Sequence, residues 1–155
     1  MFESDMTIKR ICIINGANLN LLGTREPEKY GTRDFNTFLE LLKSAYPNVT
    51  INYYQSNVEG ELVNMIQEKG AVSEGIILNA GGYSHTSIVI ADAVKAVRVP
   101  VIEVHITNIH AREPQRRNSL LSAYCKGTVT GLGLEGYETA LLFLAGLLKT
   151  KQATL

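Results

Sequence analysis

Three polar clusters in this sequence each follow a short apolar run, and together they carry histidine and asparagine side chains. The clusters are residues 15–18, 79–87 and 105–108, which follow the apolar runs 11–14, 75–78 and 101–104. The apolar runs are typical of buried strands, and the carboxyl ends of parallel strands meet at one edge of a sheet, where ligands bind. A single turn of this kind could be an ordinary connection, since such turns are often rich in Gly and Asn. Three of them indicate a site.

The central cluster, residues 79–87, has the pattern of an anion-binding corner. Gly81 and Gly82 allow close approach of the backbone and positive φ angles. Thr86 or Ser87 is expected to cap the helix that follows. The free N–H groups of the first helical turn would then point at a bound anion.

Glu103 and His105 are candidates for acid–base chemistry. They are two residues apart on one predicted strand, so their side chains lie on the same face. Glu103 could hold one imidazole nitrogen and leave the other to act as an acid. The alternative is an isolated ion pair without a catalytic role.

Two further segments carry charge. Arg112, Arg116 and Arg117 form a basic cluster after the fourth predicted strand; the alternative is a solvated face or a subunit contact. The long polar segment 16–31 is predicted to be a loop and, from its length, a functional lid hinged at Gly23 and Gly31. The alternative is a disordered connection.

Other kinds of site lack their motifs. No GxGxxG follows the first predicted strand, and no GxxxxGK[ST] or GxSxG occurs in the chain. The histidines at 85, 105 and 110 lie on different turns without paired carboxylates at ligand spacing, so no metal site is predicted. Acid–base chemistry on a small anionic molecule remains.

Composition narrows the class of protein. The 155 residues predict a single domain, 1–155, with a loose leader at 1–7 and a loose tail at 150–155. Fifteen basic and fifteen acidic residues give zero net charge, which argues against nucleic acid or a membrane surface as the main partner. The apolar runs are too short to span a membrane, and the first five residues do not resemble a signal peptide. Cys12 and Cys125 are expected to be free thiols of a cytoplasmic protein.

Hydrophobic periodicity predicts alternating strands and helices. The predicted strands are 10–15, 49–55, 75–78, 101–104 and 127–132. The predicted helices run from Thr32 or Asp34 to before Pro47, over 59–69 with Gly70 as the stop, over 88–97, and over 136–149. This alternation favours an α/β, doubly wound five-stranded parallel sheet with the flavodoxin-like order 2-1-3-4-5.

The order of the motifs resembles that of type II 3-dehydroquinate dehydratases from about Arg10 to Lys149. The motifs are INGANLN at 14–20, LGTREP at 22–27, YG at 30–31, NAGG at 79–82, HTS at 85–87, EVHI at 103–106 and HARE at 110–113. The resemblance implies a flavodoxin-like fold and a homododecamer built as a tetramer of trimers. It also implies a cytoplasmic hydro-lyase of the shikimate pathway of aromatic amino acid biosynthesis. That enzyme converts 3-dehydroquinate to 3-dehydroshikimate through an enolate, without metal, cofactor or Schiff base.

The resemblance also implies catalytic roles for individual residues. Tyr30 would be the base that removes a C2 proton, with Arg25 beside it. His105, kept protonated by Glu103, would protonate the departing C1 hydroxyl. Asn18 would organise the water that meets the enolate oxygen.

Substrate-binding roles follow from the same resemblance. Asn79, His85 and Arg116 would hold the substrate hydroxyls, and the backbone N–H groups of Ile106 and Thr107 would bind its carboxylate. Asp92 would reach into a neighbouring subunit's site, and Arg112 would lie near the base. The sequence departs from the family pattern at Ala17, Ser84 and Thr107, where Pro, Thr and Ser are common; these changes affect loop rigidity near Asn18 at most.

Tyr30 and Arg25 suit this chemistry because the base must be strong yet unprotonated. A free tyrosine has a pKa of about 10. One guanidinium about 4 Å away, at an effective dielectric of about 20, favours the phenolate by about 4 kcal/mol, or roughly 3 pKa units. Closure of the loop would assemble base and charge and exclude water.

Two rival functions share the predicted fold. One is a binding module for a mononucleotide or flavin, whose phosphate would fit the 79–87 corner. The other is a non-catalytic interaction protein. Turnover of 3-dehydroquinate, seen as the ultraviolet absorption of a conjugated enone, separates both from the enzyme.

Overall fold

Five short strands rich in Ile and Val form a parallel sheet in the computed structural model, which describes residues 9–24 and 26–146 but not the side chain of Tyr30. The strands are β1 (Lys9–Asn15), β2 (Val49–Gln55), β3 (Gly75–Asn79), β4 (Val101–His105) and β5 (Gly127–Thr130). Their order is β2-β1-β3-β4-β5, and every neighbouring pair is parallel. The predicted fold class and strand order are therefore confirmed.

Helices cover both faces of the sheet. They are α2 (Phe35–Ala45), α3 (Glu59–Val72), α4 (Ile88–Ala96) and α5 (Glu135–Leu144). A single helical turn, α1 (Pro27–Tyr30), precedes them. Helices α2 and α5 pack with Ile11 and Ile13 of β1 on one face, whereas α3 and α4 pack with Cys12 and Ile14 on the other. Alternate residues of β1 thus enter opposite cores, as the two-residue period of a strand requires. All five residues of β3 and of β4 are buried, which is typical of central parallel strands.

Two of the predicted helix starts are confirmed by their caps. The Asp34 carboxylate accepts a hydrogen bond of 2.8 Å from the Thr37 N–H, and so caps α2. The Ser87 hydroxyl accepts one of 3.0 Å from the Ile90 N–H, and so caps α4. In both cases a short polar side chain satisfies an N–H that has no partner within the helix.

Several predicted elements need correction. Helix α3 does not stop at Gly70 but continues to Val72; a Cβ on Gly70 would lie 2.6 Å from Val97 Cγ1, so the glycine permits close packing. The segment 16–31 is not a continuous loop, because it contains a 3-10 turn at Leu19–Leu21 and α1, which begins with Pro27.

Strand β5 ends at Thr130 instead of residue 132, because Gly131 adopts a φ of 86° and turns the chain. Helix α5 begins at Glu135. It ends at Leu144, with Ala145 as its C-cap and Gly146 at a φ of 70°, so the predicted end near residue 149 is wrong. The predicted tail at 150–155 and residues 1–7 of the predicted leader lie outside the described residues. Across the described ranges, no helix is both long and apolar enough to cross a membrane.

The register of the sheet brings the polar clusters together. Asn15 and Asn79 are Cα partners at the ends of β1 and β3. His105 is paired with Thr130 at the ends of β4 and β5. The carboxyl edge of the sheet therefore carries polar side chains from neighbouring strands, as expected for a site in an open parallel sheet.

Candidate active site

A pocket of about 90 Å³ lies at the carboxyl edge of β1, β3 and β4. All three predicted clusters contribute to its wall, and so does the arginine-rich segment that follows β4. The lining residues are Ala17, Asn18, Leu19, Leu21, Leu22, Asn79, Gly81, Gly82, His85, His105, Ile106, Ile109, Arg112 and Arg116. Seven predicted site residues therefore share one pocket: Asn18, Asn79, His85, His105, Ile106, Arg112 and Arg116.

Glu103 and His105 form a buried pair at the floor of the pocket. The His105 Nε2–H donates to Glu103 Oε1 at 2.8 Å, and the histidine and the glutamate are 5% and 0% exposed. The predicted contact between them is present. Because a carboxylate only accepts, this bond fixes the hydrogen on Nε2 and leaves Nδ1 as the nitrogen for acid–base exchange.

The Glu103 carboxylate is ionised despite its burial. Burial raises the pKa of this carboxyl, but hydrogen bonds from His105, Ser119 and Ser122 outweigh it, so that the pKa lies below its usual range. Ser122 donates to Oε2 at 2.5 Å, and Ser119 donates to Oε1. A buried negative charge is therefore held directly behind the imidazole.

His85 lies opposite His105. The two rings stack with their centroids 6.0 Å apart and an interplanar angle of 25°. The His85 Nδ1–H donates to the carbonyl oxygen of Asn118 at 2.7 Å. A neutral His85 ring held in this way presents Nε2 as an acceptor, which suits a substrate hydroxyl.

Asn79 joins the pocket to the core. Its Nδ2 donates to the Tyr137 hydroxyl at 2.8 Å, and its Oδ1 accepts from the Gly81 N–H at 3.1 Å. The Tyr137 hydroxyl in turn donates to Asn15 Oδ1 at 2.8 Å. Burial raises the pKa of Tyr137, so it stays a neutral phenol. These bonds fix which side of the Asn79 amide donates.

Asn18 is held in the left-handed region, with a φ of 68°. Its N–H donates to Asn57 Oδ1 at 2.9 Å, and the carbonyl of Asn57 accepts from the Tyr83 hydroxyl at 2.8 Å. Asn is one of the few residues other than Gly that tolerates this conformation. The Asn18 side chain is thus exposed on a braced backbone at the pocket's edge.

The arginine-rich segment closes another side of the pocket. Glu113 accepts from Arg116 Nε at 2.7 Å and lies 3.8 Å from Arg112 Nε. Arg112 Nη1 also lies 3.4 Å from Thr107 Oγ1. Two guanidinium groups of the predicted basic cluster therefore reach the pocket, while Arg117 Nε donates to the Arg112 carbonyl at 2.7 Å and braces the segment.

Among the described side chains, three predicted site residues do not line the pocket: Glu103, which lies behind His105, Thr107 and Asp92. Thr107 follows the lining residue Ile106, and Asp92 is exposed on α4. Tyr30 ends α1, with its side chain outside the described residues, and Arg25 lies outside them entirely. The predicted anion-binding corner contributes Gly81, Gly82 and His85 to the wall; among the described residues that form it, none belongs to the first turn of α4.

A GxGxxG motif does occur after β5, at residues 131–136, and here it has a packing role. The Gly131 N–H donates to the His105 carbonyl at 3.1 Å, and the Gly133 N–H donates to that of Ile106 at 3.0 Å. A Cβ on Gly136 would lie 3.4 Å from Val104 and from Val129. The turn uses its N–H groups to brace the backbone beneath the pocket, so it is not a phosphate cradle.

Several contributors to the site carry no local sequence signal. Ser119 and Ser122 donate to the Glu103 carboxylate, and the Asn118 carbonyl accepts from His85. These three residues lie in a segment of turns and short 3-10 helices. Tyr137 contacts Asn79 from the buried face of α5. Their roles depend on which buried groups they meet in space. Among the described residues, no cluster of three His, Cys, Asp or Glu side chains is placed to hold a metal ion.

The chain matches one known protein family over most of its length. The family model described as dehydroquinase class II matches residues 9–145. A 3-dehydroquinate dehydratase of Fusobacterium nucleatum subsp. nucleatum is 50% identical over 141 residues, which is 87% of this chain and 95% of that protein.

Solved structures of type II dehydroquinases are also similar to this chain. A type II dehydroquinase from Butyrivibrio crossotus superposes with a TM-score of 0.85 at 38% identity, covering 88% of this chain and 97% of the other. A type II dehydroquinase from Propionibacterium acnes gives the same TM-score and identity, with coverages of 89% and 97%.

Proposed function

The chain belongs to the class II dehydroquinase family, and we propose that its pocket dehydrates 3-dehydroquinate to 3-dehydroshikimate by acid–base catalysis. It is a 3-dehydroquinate dehydratase, a hydro-lyase that serves the shikimate pathway. The observation that carries the mechanism is the buried Glu103–His105 pair beneath a pocket lined by amide, imidazole and guanidinium groups.

The elimination needs a base, a stabilised enolate and an acid. In the proposed reaction Tyr30, held as phenolate by Arg25, removes the C2 proton. A water molecule ordered by Asn18 donates to the developing enolate oxygen, which lowers the barrier because the donor is already in place. His105 then delivers a proton to the C1 hydroxyl as the C–O bond breaks, and water leaves. Glu103 supports this step, because a fixed carboxylate stabilises the imidazolium.

The substrate is recognised through its hydroxyls and its carboxylate. We place Asn79, His85 and Arg116 against the hydroxyls, and the N–H groups of Ile106 and Thr107 against the carboxylate. The support is that four of these five residues line the pocket. Arg112 adds a second guanidinium near the base. No cofactor or metal takes part in this proposal.

The assembly belongs to the proposal as well. We propose that the chain is a single domain, 1–155, that forms a cytoplasmic homododecamer as a tetramer of trimers, with Asp92 completing the site of a neighbouring subunit. The support is the surface of α4, where Ile88 and Val89 are 69% and 50% exposed on the same helix as Asp92. Apolar side chains on one exposed helix surface are typical of subunit contacts.

The activity is tested by adding 3-dehydroquinate and following the ultraviolet absorption of the conjugated enone product. Turnover should persist in the presence of a chelator, and also when borohydride is added with substrate. Absence of turnover would overturn the proposal and favour a binding module. Irreversible inactivation by borohydride with substrate would instead indicate an imine intermediate.

The assembly is tested by sedimentation together with an Asp92→Asn variant. We expect a particle of about twelve subunits, and a variant that assembles normally but binds substrate more weakly. A matched control is Glu68→Gln, which changes an exposed carboxylate on α3. A fully active monomer would remove Asp92 from the site.

A further inference from the structure

Residues 118–122, which we call the serine segment, make polar contacts that the proposed reaction does not use. The segment follows the arginine cluster and reaches both histidines of the pocket, one through a carboxylate and the other through a backbone carbonyl. From these contacts we infer how His105, the proposed acid, is positioned. This inference rests on the proposed function.

Two hydroxyls of the segment saturate the Glu103 carboxylate. Ser119 donates to Oε1, which also accepts from His105 Nε2, and Ser122 donates to Oε2 at 2.5 Å. Ser119 Oγ in addition accepts from the Leu121 N–H at 3.1 Å, which fixes its rotamer. Three donors on a fully buried carboxylate stabilise its charged form and its orientation together.

The same segment holds the second histidine. The Asn118 carbonyl accepts from His85 Nδ1 at 2.7 Å. The Leu120 N–H donates to the Ser84 carbonyl at 2.8 Å, one residue before His85. The stacked rings of His85 and His105 are therefore set relative to one another by one short stretch of chain.

We propose that Ser119 and Ser122 are positioning residues of the acid. They hold Glu103 ionised and aligned with His105, so that the proton of the imidazolium is delivered from Nδ1 toward the leaving hydroxyl. Neither serine touches the substrate. The serines contribute to turnover only through Glu103, so this contribution is lost when Glu103 no longer carries a charge.

The test is a double-mutant cycle on the assembled enzyme. The variant Ser119→Ala/Ser122→Ala should lower kcat by about 10- to 100-fold with little change in KM, as is typical when the partner behind an active group is removed. The same changes in a Glu103→Gln background should cost less than about threefold, because the charge they hold is gone. When Glu103 is present, the two serine substitutions should shift the acidic limb of the kcat–pH profile to higher pH by about one unit. The reason is that the Glu103 carboxylate protonates more easily without the two hydroxyl donors.

Controls separate positioning from folding. Thr37→Ala removes another hydroxyl–carboxylate bond, that of Thr37 Oγ1 with Asp34 at 2.9 Å, and should leave the pH profile unchanged. Ser122→Thr keeps the hydroxyl and should restore most of the turnover. If the double variant does not fold, Ser122→Ala alone, which removes only the donor to Oε2, decides the question by the same profile.

The outcomes are distinct from those for the activity itself. An inactive wild type would overturn the proposed function. An active wild type with serine variants that keep its kcat and pH profile would overturn the inference alone. Equal losses in the wild-type and Glu103→Gln backgrounds would do the same, because the serines would then act independently of the carboxylate.

Discussion

His85 and His105 stack 6.0 Å apart, yet each ring is fixed through a different nitrogen. His105 donates from Nε2 to the Glu103 carboxylate, and His85 donates from Nδ1 to a backbone carbonyl. A carboxylate stabilises an imidazolium more strongly than a neutral carbonyl does. The two histidines are therefore suited to different roles. His105 is suited to release a proton, and His85 is suited to accept a hydrogen bond from substrate.

The first prediction concerns His105. His105→Ala should lower kcat much more than substrate affinity, by about 10²–10⁴-fold, because a general acid acts as the hydroxyl leaves. Steady-state kinetics together with calorimetric titration of an unreactive ring-shaped anion would measure both effects. The matched variant is His110→Ala, which changes an exposed histidine beyond the pocket wall and should keep normal turnover. Unchanged kcat in His105→Ala would move the acid to His85.

The second prediction concerns the charge of Glu103. Its pKa is lowered in the folded protein, so its ionised form contributes stability above its unfolded pKa of about 4.3, and that contribution is lost as the pH falls through the folded pKa. Glu103→Gln should therefore be less stable than wild type at pH 7, with a gap that narrows below about pH 4. Urea denaturation at a series of pH values measures this gap. A gap that stays constant with pH would show that the carboxylate is not held ionised.

The same variant should retain more activity than His105→Ala, since the amide still contacts the ring while the charge is lost. Kinetics at pH 7 on both variants compare the two losses directly. A Glu103→Gln loss larger than that of His105→Ala would mean that Glu103 itself exchanges a proton with the substrate.

The third prediction concerns Tyr137, whose hydroxyl joins Asn79 to Asn15. Tyr137→Phe leaves a buried donor on one side and a buried acceptor on the other, which should cost about 1–3 kcal/mol of unfolding free energy. Chemical denaturation gives this value. Tyr124→Phe, at a 45% exposed position, is the control and should be close to neutral. A neutral Tyr137→Phe would mean that water satisfies both amides.

Much of the fold is readable from the sequence because its signals are local. The strands β1, β3 and β4 contain short apolar runs followed by polar residues, and the caps at Asp34 and Ser87 are short polar residues placed before helical periods. The alternation of strands and helices predicts a parallel sheet, and five strands suit the order 2-1-3-4-5. The prediction of Gly70 as a helix stop is wrong because the role of this glycine depends on contact with Val97, which is distant in sequence.

The residues of the site also differ in whether a local sequence signal predicts them. Glu103 and His105 are two residues apart, so the period of a strand alone places them on one face. Ser119 and Ser122 reach the same carboxylate only because the chain folds back onto β4, and no spacing predicts that. The GxGxxG at residues 131–136 shows the converse, since a motif known for phosphate binding here donates its N–H groups to backbone carbonyls.

The last prediction concerns Tyr30 and Arg25. If Arg25 holds Tyr30 as phenolate, the two side chains act as one unit and their losses should not multiply. Tyr30→Phe should lower kcat by several orders of magnitude while a ring-shaped anionic inhibitor still binds, because only the base is removed. Arg25→Gln keeps the phenol but raises its pKa, so its residual rate should climb with pH beyond the wild-type optimum. Arg25→Lys should recover only part of the loss, because an ammonium lacks the planar fork of a guanidinium.

Turnover measured against pH for these variants and the double variant decides between two roles for the guanidinium. A double variant little worse than Tyr30→Phe alone would place Arg25 on the base, since a charge that acts through the phenolate has nothing to act on once the hydroxyl is gone. Arg33→Gln is the matched control, because it removes a guanidinium nearby in sequence that pairs with Glu135 at 2.8 Å, and it should leave the pH profile in place. Fully multiplicative losses, or an Arg25→Gln profile parallel to that of wild type, would mean that Arg25 acts on the substrate directly.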